Sequence, residues 1–187
     1  MTMPTHDCPA CDSGKLAVHH TPDGLKALQC LSCHGMWVKG EDYLDWLAVK
    51  NRSTVHRNSD KPPKLLDHKL ADSAAGKLCR DCGRLMRRVK VGHGVGFHLD
   101  RCMSCGGFWF DANEWLELSE HRLAEQAHMV FTDAWQYEVR KAVKAAADQA
   151  RRANALGRKE ASRVEEIRRW IASHPKGDEI LARLMED

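Results

Sequence analysis

All eight cysteines of the 187-residue chain fall in Cys-x-x-Cys pairs, and the pairs form two quartets: Cys8, Cys11, Cys30 and Cys33, then Cys79, Cys82, Cys102 and Cys105. The gap between pairs is 18 residues in the first quartet and 19 in the second. The repeat runs past the cysteines. In both copies a glycine stands two residues after the fourth cysteine (Gly35, Gly107) and a tryptophan four residues after it (Trp37, Trp109). A helix-like run follows each, 41–47 and 113–118. Repetition on this scale means two modules of like fold.

Between its cysteine pairs each copy reads as a β-hairpin. In the first, 15–20 and 25–29 flank the turn sequence Thr21-Pro22-Asp23-Gly24. In the second, 84–91 and 97–101 flank Gly92-His93-Gly94-Val95-Gly96. Asp111, with Glu114 three residues on, carries the signature of a capped helix start; the first copy has Lys39 and Gly40 there instead.

Two Cys-x-x-Cys turns joined by a hairpin place four sulfurs at the corners of a tetrahedron, the arrangement zinc accepts from thiolates. Two complete quartets with near-equal gaps make zinc, two ions per chain, the expected cofactor. Iron takes the same four-sulfur knuckle and stays open. Gly83 and Gly106 follow their knuckles directly, which eases the tight turn, and Arg80, Arg84 and Arg101 flank the second site and balance its thiolate charge. A disulfide framework needs an oxidising compartment. The segment from Met1 to Asp7 has no basic and then apolar signal pattern, and no stretch approaches the roughly 18 to 20 apolar residues of a membrane span. The chain is therefore read as cytoplasmic and without a membrane partner. A redox pair of the thioredoxin kind needs a βαβ context that these motifs lack.

A four-thiolate zinc site is closed and leaves no position for an activated water. The metals are expected to be structural. With no phosphate loop, nucleophile motif or recognisable carboxylate pair elsewhere, no enzyme is expected.

The run Cys102-Met103-Ser104-Cys105-Gly106-Gly107-Phe108-Trp109-Phe110-Asp111, together with Cys79, Cys82 and Glu114, resembles the bacterial transcription factor IIB-type zinc-ribbon family. The first copy is similar but departs at His34, where a glycine is usual, and at 39–42. The resemblance covers about half the chain. It implies tandem zinc ribbons with the two quartets as ligands, and does not by itself imply a role in transcription.

The expected fold is thus a small metal-bound α+β protein: a first ribbon over 1–48, a linker over 49–77, a second ribbon over 78–120 and a helical, basic C-terminal region over 121–187. The ribbons are expected to be tethered units unless Leu65, Leu66 and Leu70 of the linker dock on one of them. Trp37 and Trp109 are read as anchors, each packed on its own hairpin, in preference to exposed stacking platforms. His19, His20, His93 and His98 read as surface histidines. A long helix capped at Thr132 or Asp133, a break at Gly157, a helix over 161–172 and a last one over 178–185 complete the pattern.

The net charge of +3 is too small to name a partner, but Arg140 to Arg169 alone carries +6. Candidate nucleic-acid contacts are Arg84, Arg87, Arg88 and Lys90 on the second hairpin and Arg140, Lys141, Lys144, Arg151 and Arg152 in the tail. The leading expectation is a non-enzymatic regulator or adaptor that binds nucleic acid or the transcription machinery. A protein adaptor or scaffold that self-associates through the alanine-rich C-terminal helices, and a thiol-based redox sensor, are the alternatives.

Overall fold

The computed structural model describes residues 8–11, 14–52 and 72–186. They form an α+β fold built on one antiparallel sheet of six strands in the order β1-β2-β3-β6-β5-β4. The first ribbon contributes β1 (Leu16–His20), β2 (Lys26–Cys30) and β3 (Met36–Val38). The second contributes β4 (Arg87–Gly92), β5 (Val95–Arg101) and β6 (Phe108–Phe110). Both expected hairpins are present. The first turn is closed by the Thr21 hydroxyl, which accepts the Leu25 amide at 2.9 Å.

The ribbons are not tethered units. Their third strands pair with each other, Met36 opposite Phe110, Trp37 opposite Trp109 and Val38 opposite Phe108. The register is symmetric about the tryptophan pair, so a local two-fold axis relates the repeats. The physical reason lies in the strands themselves. Met36-Trp37-Val38 and Phe108-Trp109-Phe110 are apolar at every position, and a strand with two apolar faces cannot remain at a sheet edge in water. All six residues are buried.

The pairing gives the sheet two cores. On one face Met36, Val38, Phe108 and Phe110 meet α1 (Gly40–Arg52) and α2 (Glu114–Glu120). Here Tyr43 packs on Phe108 with ring centroids 5.0 Å apart, Trp46 on Trp115 at 5.2 Å and Trp115 on Phe110 at 5.1 Å. On the other face Trp37 and Trp109 cluster with Cys8, Cys30, Cys79 and Cys102. Each indole lies against the other ribbon's glycine: a Cβ on Gly35 would come within 2.3 Å of the Trp109 ring, and one on Gly107 within 2.4 Å of the Trp37 ring. The tryptophans are anchors, as expected, but each anchors across to the opposite ribbon.

After α2 the chain makes two short 3₁₀ turns, Ala124–Gln126 and Met129–Phe131, whose Ala124, Ala127, Val130 and Phe131 complete the helix-side core. Then α3 (Asp133–Leu156) begins, with the Thr132 hydroxyl accepting the Trp135 amide at 3.3 Å. Its first turns are pinned to β4: Trp135 Nε1 donates to the Val91 carbonyl at 2.7 Å and Gln136 Nε2 to the Lys90 carbonyl at 2.9 Å.

The chain divides into two compact units, Met1–Val139 and Arg140–Asp187. Residues 121–139, assigned to the tail on sequence, therefore sit with the ribbons, because their apolar side chains fill the sheet's helix-side core. The second unit holds the remainder of α3, then α4 (Arg158–Ser173) and α5 (Gly177–Leu184), with Gly157 at φ 84° between α3 and α4. Of the expected linker, 49–52 extends α1, while Leu65, Leu66 and Leu70 lie outside the described residues. No helix among the described residues is long and apolar enough to cross a membrane.

Candidate metal centres

Each cysteine quartet gathers at the base of its hairpin, and within each the four sulfurs lie within 4.8 Å of one another. The Cys8–Cys33 and Cys11–Cys30 sulfur pairs stand 3.6 Å apart, and Cys79–Cys105 and Cys82–Cys102 stand 3.4 Å apart. A disulfide bond is about 2.05 Å long. Four sulfurs each about 2.3 Å from a central zinc ion would be separated by about 3.8 Å. The spacing fits a shared tetrahedral ion and does not fit disulfides; all eight cysteines are free. Gly14 leaves room for the first quartet, since a Cβ there would fall 2.3 Å from the Cys30 sulfur.

The surrounding amides prepare the thiolates. Ser32 and Cys33 both donate their backbone N–H to the Cys30 sulfur at 3.4 Å, and Ala10 donates to that of Cys8 at 3.4 Å. Burial opposes the Cys30 thiolate, but the Cys33 and Ser32 amides outweigh it and bring the thiol down to about 7. Burial likewise opposes Cys102, and the Cys105 and Ser104 amides bring it down to about 7. Burial holds Cys8 and Cys79 well above the usual thiol range. Cys30 and Cys102 are thus ready to ionise near neutrality, while Cys8 and Cys79 require the charge of a metal, whose binding displaces their protons. Both quartets could each bind zinc, and with four sulfur donors in place the role they suit is structural.

The two knuckle turns differ at the residue after the fourth cysteine. Gly106 holds φ 76° after Cys105, and His34 takes the equivalent place at φ 59°. The left-handed conformation is thus required in both copies, and a histidine tolerates it at some cost.

A second difference concerns Asp111, which does not cap α2. Glu114 supplies its half of the expected capping box, Oε2 accepting the Asp111 amide at 2.8 Å, but the Asp111 carboxylate turns inward. It accepts Trp109 Nε1 at 2.7 Å, the Ser73 amide at 2.8 Å and Lys77 Nζ at 3.3 Å. In the first copy Lys39 stands at this position, and Trp37 Nε1 is buried without a hydrogen-bond partner among the described residues.

Lys77 was hidden in the expected linker. It is 1% exposed, and its ammonium also donates to Asp100 at 2.8 Å. Arg88 joins Asp100 at 3.1 Å and pairs with Asp72, which in turn bonds His98 Nδ1 at 3.0 Å. The network fastens residues 72–77 to the second ribbon. Asp72, Asp111 and Glu114 carboxylate oxygens approach within 4.8 Å of one another, but the Lys77 ammonium already balances this group. Burial, then the charge of Asp111, pushes Glu114 up to about 9, so it holds a proton at neutral pH.

The candidate phosphate contacts fall into two classes. On the second hairpin Arg88 is committed to the two aspartates, Arg84 bonds the Ser104 hydroxyl at 2.6 Å, Arg87 donates to the Phe131 carbonyl at 3.4 Å and Lys90 is half-buried. In α3, Arg140, Lys141, Lys144, Arg151 and Arg152 are all exposed. Arg151 pairs with Asp148 at 2.5 Å on the surface. The structure gathers each cysteine quartet at one point and leaves the basic residues spread over two surfaces.

Residues 78–121 match the family described as Transcription factor zinc-finger. The first quartet, Cys8 to Cys33, lies outside that match and is related to it by geometry alone. No curated protein matches the chain. No solved structure matches it either.

Proposed function

We propose that the protein is a non-enzymatic regulator or adaptor whose two structural zinc sites build a single rigid platform, and whose basic α3 surface contacts nucleic acid. The observation that carries this reading is the exposed basic run of Arg140, Lys141, Lys144, Arg151 and Arg152 on a helix that is solvent-facing nearly all round from Arg140 to Arg152. Spacings of four and seven residues along a helix bring Arg140, Lys144 and Arg151 onto one side, a row suited to a phosphate backbone. The closed four-sulfur sites support a non-catalytic role. Arg88, neutralised by Asp72 and Asp100, is not a phosphate contact.

Anisotropy of labelled duplex and single-stranded oligonucleotides, read across a salt series, tests this. Each phosphate contact contributes about 0.7 to 0.9 to the slope of log affinity against log salt. The expected result is binding at low salt whose slope falls by about two when Lys144 and Arg151 are replaced by glutamine. Absence of binding at low salt, or a slope unchanged by the double substitution, refutes the reading.

A further inference from the structure

The two quartets differ in cover. In the first, Cys8 and Cys30 are buried and Cys11 and Cys33 half-buried. In the second, Cys79 and Cys102 are buried, but Cys82 and Cys105 are exposed. The exposure belongs to both turns and not to the sulfurs alone: 80–85 and 103–105 are exposed at every residue, whereas 9–11 of the first ribbon are half-buried. The sulfurs of the second quartet are also coupled in pairs. Cys82 stands 3.4 Å from Cys102, and Cys105 stands 3.4 Å from Cys79. Each exposed sulfur therefore has a buried one of the opposite turn beside it.

The charge around the two quartets differs as well. The stretches 79–84 and 101–106 hold three arginines, Arg80, Arg84 and Arg101, against one carboxylate, Asp81. The equivalent stretches of the first ribbon, 8–13 and 29–34, hold no arginine or lysine. Arg84 Nη1 donates to the Ser104 hydroxyl at 2.6 Å, which ties this cation to the turn that carries Cys102 and Cys105. The Arg101 guanidinium reaches the same turn, since a Cβ on Gly106 would lie 3.8 Å from its Nη2. Thiolates react with oxidants where they are partly exposed and held among cations. The second quartet meets both conditions, and the first meets neither.

We propose that the second quartet is a site of reversible oxidation by hydrogen peroxide, in which exposed Cys82 or Cys105 is attacked and its buried neighbour, Cys102 or Cys79, closes a disulfide with it. The exposed thiolate takes one peroxide oxygen; the O–O bond breaks, and a sulfenic acid and a hydroxide ion form. The neighbouring thiolate, 3.4 Å away, then attacks the sulfenic sulfur, the S–O bond breaks and a second hydroxide leaves. Two thiolates have given up two electrons, and the peroxide has become two hydroxide ions that take up protons to give water. Arg84 and Arg80 stabilise the departing hydroxide. With two of its four sulfurs joined, the quartet no longer offers a tetrahedral set and lets its ion go. Cys79 and Cys102 share one packed cluster with Trp37 and Trp109, so the change reaches the contact between the ribbons. A dithiol reductant with zinc present reverses it. The device makes no use of the α3 surface and is tested separately from it.

The test treats zinc-loaded full-length protein with about one molar equivalent of hydrogen peroxide at neutral pH. Released zinc is followed with a coloured chelator, and the thiols are then alkylated and mapped by mass spectrometry. The expected result is zinc release at a rate proportional to peroxide, with the first disulfide joining Cys82 to Cys102 or Cys105 to Cys79 while Cys8, Cys11, Cys30 and Cys33 are still alkylated. Dithiothreitol and zinc are expected to restore the native tryptophan fluorescence. Arg84→Gln, at an exposed position, is expected to slow release about fivefold with zinc content and unfolding midpoint unchanged. Zinc retained under about a tenfold excess of peroxide overturns the proposal. A first disulfide within the 8–33 quartet, a release rate independent of peroxide concentration, or an unaltered rate in the Arg84 variant overturns it as well.

Discussion

Replacing Glu114 by glutamine should change how stability depends on pH. The side chain is 1% exposed; one carboxylate oxygen accepts the Asp111 amide and the other is buried without a partner among the described residues. Burial and the neighbouring Asp111 charge raise the group from an ordinary 4.5 to about 9 in the fold. A value raised in the folded state means a contribution to stability that is complete below pH 4.5 and is lost as pH rises to about 9. Within that window the unfolded chain has released the proton and the folded chain keeps it, so each pH unit upward costs about 1.4 kcal/mol. From pH 6 to pH 8 the loss is about 2.7 kcal/mol. Glutamine fills the same space, keeps an acceptor for the Asp111 amide and does not titrate. At pH 6 Glu114→Gln should cost about 1 to 3 kcal/mol, since its amide donors face a place without an acceptor. By pH 8 the difference should have moved by about 2.7 kcal/mol in the variant's favour. Urea unfolding of both zinc-loaded proteins at about pH 6, 7 and 8, followed by tryptophan fluorescence, gives that difference. Metal binding is common to both proteins and cancels from the comparison. Parallel pH curves would mean that Glu114 is ionised throughout, and the account of the buried carboxylates would be wrong.

Two further outcomes follow from the zinc sites and the sheet. Metal analysis of the purified protein should give two zinc ions per chain, and a strong chelator should abolish the tryptophan environment and near-ultraviolet dichroism together, because structural zinc supplies about 10 kcal/mol or more of folding free energy; retention of native spectra in the metal-free protein refutes a structural role. Gly107→Ala should lower stability by about 1 to 3 kcal/mol in urea unfolding, as the added methyl enters the Trp37 ring, and Gly35→Ala should do the same against Trp109; a neutral result at both positions would refute the reciprocal packing of the tryptophans.

Much of the fold is legible in the chain because each ribbon is a local object. The cysteine spacing, the Thr21-Pro22-Asp23-Gly24 turn and the glycine-rich 92–96 segment all act within about thirty residues, and the hairpins and quartets come out where they direct. The pairing of the ribbons is not local. Its signal was present in Met36-Trp37-Val38 and Phe108-Trp109-Phe110, where unbroken apolar runs demand cover on two faces, but nothing in the spacing says that each run covers the other. Lys77 was illegible for a different reason: a lysine beside a polar linker looks solvated, and only the fold brings Asp100 and Asp111 to either side of it. Asp111 carried a misleading signal, since an aspartate before a helix reads as a cap until the Trp109 indole claims it.

The tryptophan pair has a consequence for how the protein acquires and loses metal. Cysteines of both quartets and both indoles belong to one packed cluster, and each indole rests on a glycine of the ribbon it does not belong to. An ion entering one quartet therefore orders a surface against which the other quartet assembles, and removing it loosens both. Loading is a cooperative event for the whole sheet, so chains carrying a single ion should be scarce at every zinc concentration, and the molecule will pass between metal-free and doubly loaded states without a stable intermediate.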